Sequence, residues 1–208
     1  FSLVASRVVA DLSLNAKLPI IAGGSNSFVQ ALLADKYDQG FDPLLSGLRY
    51  DSCFLWLDLA FPTLCRYLCQ RVDEMFVLGM FEELSEFFAG GFSPRLQPGV
   101  GIMKAIGVPE FAVFFNRYPP DGRRMSEWDR ERRFAFGQAV RQIKYNTCVL
   151  ARRQLEKIKQ LQSSAGWRLH RIDATKAVEM KMAKNRNWIG VWEEEIVKPS
   201  HEIVNIFL

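Results

Sequence analysis

The chain has 208 residues, 49% hydrophobic, 24% charged and 12% aromatic, a size and balance that bury a substantial core in one large or two small domains. No apolar run approaches the roughly 18–20 residues of a membrane-spanning helix; Cys53-Phe-Leu-Trp-Leu-Asp-Leu-Ala-Phe61 is short and interrupted by Asp58, so a transmembrane reading is excluded. The net charge of +4 conceals a division: residues 122–186 hold 17 Lys and Arg against 6 Asp and Glu, while the remainder hold 10 against 17, so a surface for anionic partners belongs to the C-terminal half.

In chain order, Phe1–Leu12 reads as a helix and Leu18–Ala22 as a short apolar strand, which stops at Gly23-Gly24-Ser25 before a helix that starts at Ser27 or Phe28. A polar loop over residues 35–51 leads to a second apolar strand, Cys53–Leu59. Continuous apolar strands predict a parallel sheet covered on both faces. Pro62 opens a helix through Met75, with Leu64, Tyr67, Leu68, Val72 and Met75 at helical spacing. A further helix over Met80–Phe88 ends at Gly90-Gly91, and Phe92–Gly99 is rich in turn formers. After Gly101–Phe115, Tyr118-Pro-Pro-Asp-Gly122 makes another break, and Ser126 is placed as the N-cap of a helix that runs to Leu161. On that helix Arg130, Arg133, Arg141, Lys144, Arg152 and Lys159 share an arc of roughly 100°, and Phe136, Val140, Ile143, Leu150, Ile158 and Leu161 share the adjoining one.

Two features carry chemistry. A strand feeding a glycine turn and a helix start leaves backbone N–H groups pointing outward at the positive end of a helix dipole, a place to hold an anion. The same residues also read as ordinary turn chemistry, with Ser25, Asn26 and Ser27 all suited to cap the helix. The second feature is the stripe of Arg141, Lys144 and Arg152, with Arg153 beside it, in a stretch from Phe134 to Leu155 that contains no acid. It reads either as a phosphate-binding face or as a solvated one. Asp58, at a strand end, is placed to orient a substrate hydroxyl or amine, or to cap the next helix. Asp173 reads as a helix cap rather than a base. The four cysteines, with His170 and His201 distant, form no metal-ligand pattern and read as reduced thiols.

Leu18–Leu33, Arg71-Val-Asp-Glu-Met75 with Gly79-Met-Phe-Glu-Glu83, Gly101-Ile-Met-Lys-Ala-Ile-Gly-Val-Pro-Glu110, and Asn146-Thr-Cys-Val-Leu-Ala-Arg-Arg-Gln154 occur in the order and spacing of the isopentenyltransferases. With Trp167–Thr175, the last stretch resembles the plant adenylate branch, the enzymes that begin cytokinin synthesis. The resemblance implies an α/β fold: a P-loop-type parallel sheet flanked by helices, with a helical C-terminal portion. It divides the chain into a partial P-loop-type core over 1–120, lacking the N-terminal part of the sheet, and a basic helical portion over 121–208. It further implies transfer of an isopentenyl (dimethylallyl) group from dimethylallyl diphosphate to the N6 amine of AMP, ADP or ATP. Ser25 would contact the diphosphate; Gly23, Gly24, Lys104, Arg141, Lys144, Arg152 and Arg153 would bind phosphates. By analogy with oxyanion-hole donors, the Ser25 hydroxyl would contribute about 2.7–4 kcal/mol to leaving-group stabilisation. Mg2+ would accompany the diphosphate, with no protein-held metal site and no membrane or nucleic-acid partner.

Departures from the family pattern bear on activity. The P-loop G-x-x-x-x-G-K-[ST] and the Asp-containing segment that supplies the general base are not among these 208 residues, so the chain is expected to begin about a hundred residues into the family's sequence. Met103 stands where plant members carry a basic residue, leaving Lys104 alone. No basic and apolar leader is visible, and the plastid is the compartment the resemblance implies, with cytoplasm and mitochondrion as alternatives. The rival readings are a tRNA dimethylallyltransferase and a non-catalytic fragment that binds a partner through the basic helix.

Overall fold

A computed structural model describes residues 1–34, 47–90, 101–163 and 167–208. Most of the polar loop over 35–51 and the turn-rich segment 92–99 lie outside the described residues. The chain forms two compact units, one of residues 1–59 with 151–208 and one of residues 60–150.

The first unit contains α1 (Ser2–Leu14), α2 (Asn26–Leu33), β1 (Phe54–Asp58), the end of the long helix α6 from residue 151, β2 (Leu169–Asp173), α7 (Thr175–Met182), α8 (Trp188–Trp192) and α9 (Lys198–Phe207). Strands β1 and β2 pair in parallel, with Phe54 opposite Leu169 and Asp58 opposite Asp173. The α/β class therefore holds, with a two-stranded parallel sheet flanked by helices. Two apolar clusters flank the sheet. Leu32, Leu33, Leu161 and Trp167 form one, with Phe54 stacked on Trp167 at 4.6 Å. Ile172, Ala174, Ala177 and Ile196 form the other. A π-helical turn, Glu193–Val197, supplies Ile196 and joins α8 to α9.

Two expectations for this unit are corrected, and one is refined. Leu18–Ala22 is not a strand: a strand exists through its ladder, and no described segment pairs with this one, so Ile20 stands 82% exposed. Each face of the sheet carries an apolar cluster, but β1 is covered unevenly: Leu55 and Leu57 are exposed while Phe54, Trp56 and Asp58 turn inward, and on the Leu57 face it is the paired Ile172 that is buried. Asp58 does not cap the following helix. Its carboxylate accepts a hydrogen bond from Arg171 Nε at 2.6 Å, and Arg171 Nη2 reaches Asp173 at 3.3 Å. Asp173 does cap, accepting from the Thr175 N–H at 2.9 Å, and these bonds with the nearby Arg171 charge hold its carboxyl below the usual range.

The second unit contains α3 (Phe61–Val77), α4 (Met80–Ala89), a 3-10 turn over Gly101–Lys104, α5 (Val108–Arg117) and the first part of α6 (Arg130–Ser163). Its core is aromatic: Phe111, Phe114, Phe115 and Trp128 are buried with Val72, Met80, Leu84 and Ile143, and Phe76, Phe81 and Phe136 pack against them. Edge-to-face pairs such as Phe81 with Phe114 and Phe111 with Phe136 add roughly 0.5–1.5 kcal/mol each to the burial of the rings. Gly107 starts α5 at φ +93° and donates its N–H to Glu110, whose other carboxylate oxygen accepts from Asn146 on α6.

The long helix begins at Arg130, not Ser126. Met125–Glu127 forms a separate 3-10 turn, and Asp129 Oδ1 caps α6 by accepting the Arg132 N–H at 2.7 Å. Leu150, expected on the apolar face, is 48% exposed, whereas Ile143 is wholly buried. Cys65, Cys69 and Cys148 are free and half-buried in this unit. Burial and the neighbouring Cys65 and Cys69 thiols push the Cys148 thiol up to about 12.

Arg132 is buried, forks onto Asp121 at 2.7 and 3.1 Å, and lies over the Trp128 ring at 4.6 Å. The Arg132 hydrogen bond holds the Asp121 carboxyl down to about 2. Because the folded-state value lies below the ordinary one of about 4, this pair stabilises the fold above about pH 4 and its contribution disappears as pH falls toward 2. Asp121→Asn should therefore lower the denaturation midpoint at pH 7 and narrow its gap from the wild-type chain at pH 2–3, measured by urea unfolding followed by circular dichroism. Gly107→Ala should destabilise by about 1–3 kcal/mol, since a side chain at that φ is strained and its Cβ would lie 2.4 Å from Met80 Cε; the same urea titration reads the loss.

Candidate functional site

The glycine turn belongs to the first unit and directly precedes α2. Gly23, Gly24 and Ser25 are exposed, and a Cβ built on either glycine would meet nothing within 4 Å. Neither glycine has a positive φ, so no turn strain within the described residues demands them. Ser25 occupies the N-cap of α2, and its carbonyl accepts the Phe28 and Val29 N–H groups at 3.0 and 3.1 Å. Its hydroxyl makes no capping hydrogen bond, so the side-chain cap expected there is not formed. The Asn26 and Ser27 N–H groups, which have no acceptor within the helix, thus stand beside a Ser25 hydroxyl that makes no cap.

Helix α6 runs beside this turn. Asn26 Nδ2 donates to Gln154 Oε1 at 2.7 Å and to the Gln154 carbonyl at 3.1 Å, tying the first residue of α2 to the position next to Arg153. Two turns on, Leu161 is buried against Leu32 and Leu33. Arg152 and Arg153 are both exposed in this unit. The structure therefore places the glycine turn, Ser25, Arg152 and Arg153 in one unit, with the α2 start held to the arginine-bearing segment of α6. Positive charge and helix-start amides here suit a phosphate or diphosphate.

The other sequence-derived candidates belong to the second unit. Lys104 is exposed at the end of its 3-10 turn, and Met103 before it packs against the aromatic core, so that position serves packing. Arg141 is exposed, 3.4 Å from Gln138 Oε1, with its guanidinium 5.9 Å from the Phe134 ring centre. Lys144 is half-buried, and its Nζ sits 2.6 and 2.7 Å from the two carboxylate oxygens of Asp73 on α3, which offsets its charge. Arg133 is likewise committed, donating to the Trp128 carbonyl. The arc that reads as one basic stripe is therefore divided between ion-paired and exposed cations.

Sequence reasoning missed the Asn26 to Gln154 contact, because Asn beside two serines before a helix reads as a cap. It also missed the Asp58, Arg171 and Asp173 cluster at the carboxyl ends of both strands, where Asp58 holds the Arg171 guanidinium above its usual pKa. A short His-Arg-Ile-Asp run gave little strand signal. Among the described residues no group of three or more His, Cys, Asp and Glu side chains is placed to hold a metal ion, and no helix is long and apolar enough to cross a membrane.

The family model described as IPP transferase matches residues 34–160, more than half of the chain. The chain is 48% identical over 98% of its length to adenylate isopentenyltransferase 1, chloroplastic, of Arabidopsis thaliana, and 42% identical over its whole length to adenylate isopentenyltransferase 8, chloroplastic, of the same plant. It is 41% identical, again over its whole length, to adenylate isopentenyltransferase of Humulus lupulus. The chain spans 59%, 63% and 68% of the lengths of these three relatives, in that order. With a family match over most of the sequence and relatives this similar along all of it, the chain belongs to the IPP transferase family.

Proposed function

We propose that this chain is part of an enzyme of cytokinin biosynthesis that transfers a dimethylallyl group from dimethylallyl diphosphate to the N6 amine of an adenine nucleotide. The observation that carries the reading is the similarity, along the whole chain, to proteins named adenylate isopentenyltransferases. In the reaction the amine nitrogen attacks the allylic carbon, the bond from that carbon to the diphosphate oxygen breaks with its electron pair, and a base takes the amine proton. The exposed turn at Gly23, Gly24 and Ser25 would bind the departing diphosphate, with the Ser25 hydroxyl aimed at the charge that develops on it. Arg152 and Arg153 would add the counter-charge; Arg141 and Lys104, exposed in the second unit, are proposed as further phosphate contacts, and Lys144 as one only when it releases Asp73. The Mg2+ implied by the resemblance would be carried on diphosphate oxygens rather than by a protein-held site. The general base and the P-loop are assigned to a segment that these 208 residues do not contain. The plastid is the compartment we propose, after the names of the relatives.

The test is a transfer assay with dimethylallyl diphosphate and AMP, ADP or ATP in turn, with prenylated product read by mass. The 208-residue chain should give no turnover, and the same chain extended through an upstream P-loop should give it; silence from both would remove the reading. Arg152→Ala should weaken adenine-nucleotide binding by roughly ten- to a hundredfold, the worth of a hydrogen bond to a charged group, and should flatten its salt dependence. Arg117→Ala, which breaks an exposed pair with Glu131 and a contact with the Tyr118 ring, should leave both unchanged in the same titration calorimetry.

A further inference from the structure

We propose that Asn26 and Gln154 are positioning residues that set the glycine turn against Arg153 for diphosphate binding, an inference that rests on the phosphate-binding reading of that turn. Residues 18–22 have no ladder partner among the described residues, and the space around Gly23 and Gly24 is open. The turn is therefore placed from its other side, through the helix that follows it.

Helix α2 is fixed at two points along α6. At its start, Asn26 Nδ2 directs both of its hydrogens at one residue, to Gln154 Oε1 at 2.7 Å and to the Gln154 main-chain carbonyl at 3.1 Å. At its end, Leu32 and Leu33 are buried with Leu161, seven residues past Gln154 and so on the same face of α6. Helix α1 also holds α2, through Ser2 Oγ donating to the Ala31 carbonyl at 2.9 Å and Phe1 stacked on Phe28 at 4.7 Å; against α6, the directional pair at the α2 start sets the register that the apolar contact at its other end leaves open. Arg153, one residue back, lies about 100° around the helix, so fixing Asn26 on Gln154 also fixes where the Ser25 hydroxyl and the first α2 amides stand relative to that guanidinium. Displacements near 1 Å in such an arrangement cost up to about a hundredfold in the chemistry it serves. Neither side chain need touch the ligand, so the pair positions the site without being catalytic.

The experiment titrates inorganic diphosphate into the 208-residue chain by calorimetry at several salt concentrations, with thermal unfolding of each unliganded variant alongside. Asn26→Ala removes both hydrogen bonds and should weaken diphosphate binding about tenfold; Gln154→Met, which keeps the main-chain acceptor, should weaken it about threefold. The double variant should bind no more weakly than Asn26→Ala, because both changes remove one interaction. Salt dependence should match the wild type in all three, since no cation is lost, whereas Arg153→Ala should weaken binding and flatten that dependence. If the Asn26 and Gln154 variants bind like wild type while Arg153→Ala is weak, the positioning role is overturned and the site reading stands. A purely structural role would lower their unfolding midpoints with affinity unchanged, and also overturns it. If the wild type does not bind, or Arg153→Ala binds equally well, the site reading fails and the positioning role with it. Should Asn26→Ala not fold, Gln154→Met alone decides between the same outcomes.

Discussion

Burial of one face of helix α6 is the constraint on which one apolar cluster in each unit is built. Ile143 and Ala139 enter the aromatic cluster of one unit, and Leu161 closes the cluster of the other. A 34-residue helix cannot be stabilised by intrinsic propensity along its whole length, since most helical stability in proteins comes from packing an apolar stripe. The exposed Leu150, which lies next to the division between the units, marks where that stripe passes from one set of partners to the other.

The same helix decides what becomes of the positive charge. Its cations meet acids wherever another element brings one close: Arg132 takes Asp121, and Lys144 takes Asp73. Arg132 is the more committed, because a buried guanidinium without its carboxylate would carry an uncompensated desolvation cost. Farther along, no acid occurs between Phe134 and Leu155, and Arg152 and Arg153 face solvent beside the tie to α2. Burial and the nearness of an acid on another element, rather than residue type, thus separate the buried Arg132 from the cations at the surface.

Much of the helical architecture was legible because its signals are local. Pro62, the spacing of Leu64 to Met75, and the glycines after the helix starting at Met80 are sufficient to set α3 and α4 within a few residues. Strands were less legible because their reality depends on a partner elsewhere in the chain. Leu18–Ala22 has the composition of a strand and no ladder partner among the described residues, whereas Leu169–Asp173, with Arg171 and Asp173 charged, becomes one by pairing with Phe54–Asp58 across more than a hundred residues. The site divides in the same way. Gly23, Gly24 and Ser25 with Arg152 and Arg153 stand out as motifs, and the structure adds which of the proposed cations share a unit with the turn. Lys144 looked available because Asp73 lies 71 residues away, and the Asn26 to Gln154 contact spans 128. Polar contacts over such separations leave no periodic trace.

The Cys148 thiol, pushed up to about 12 by burial and by two neighbouring thiols, stays protonated throughout the physiological range. Electrophiles that react only with thiolates will therefore pass it by while α3 and α6 remain in place, and will find it once they part. Its rate of alkylation is in effect a clock for the parting of α3 from α6, built into the chain without any label.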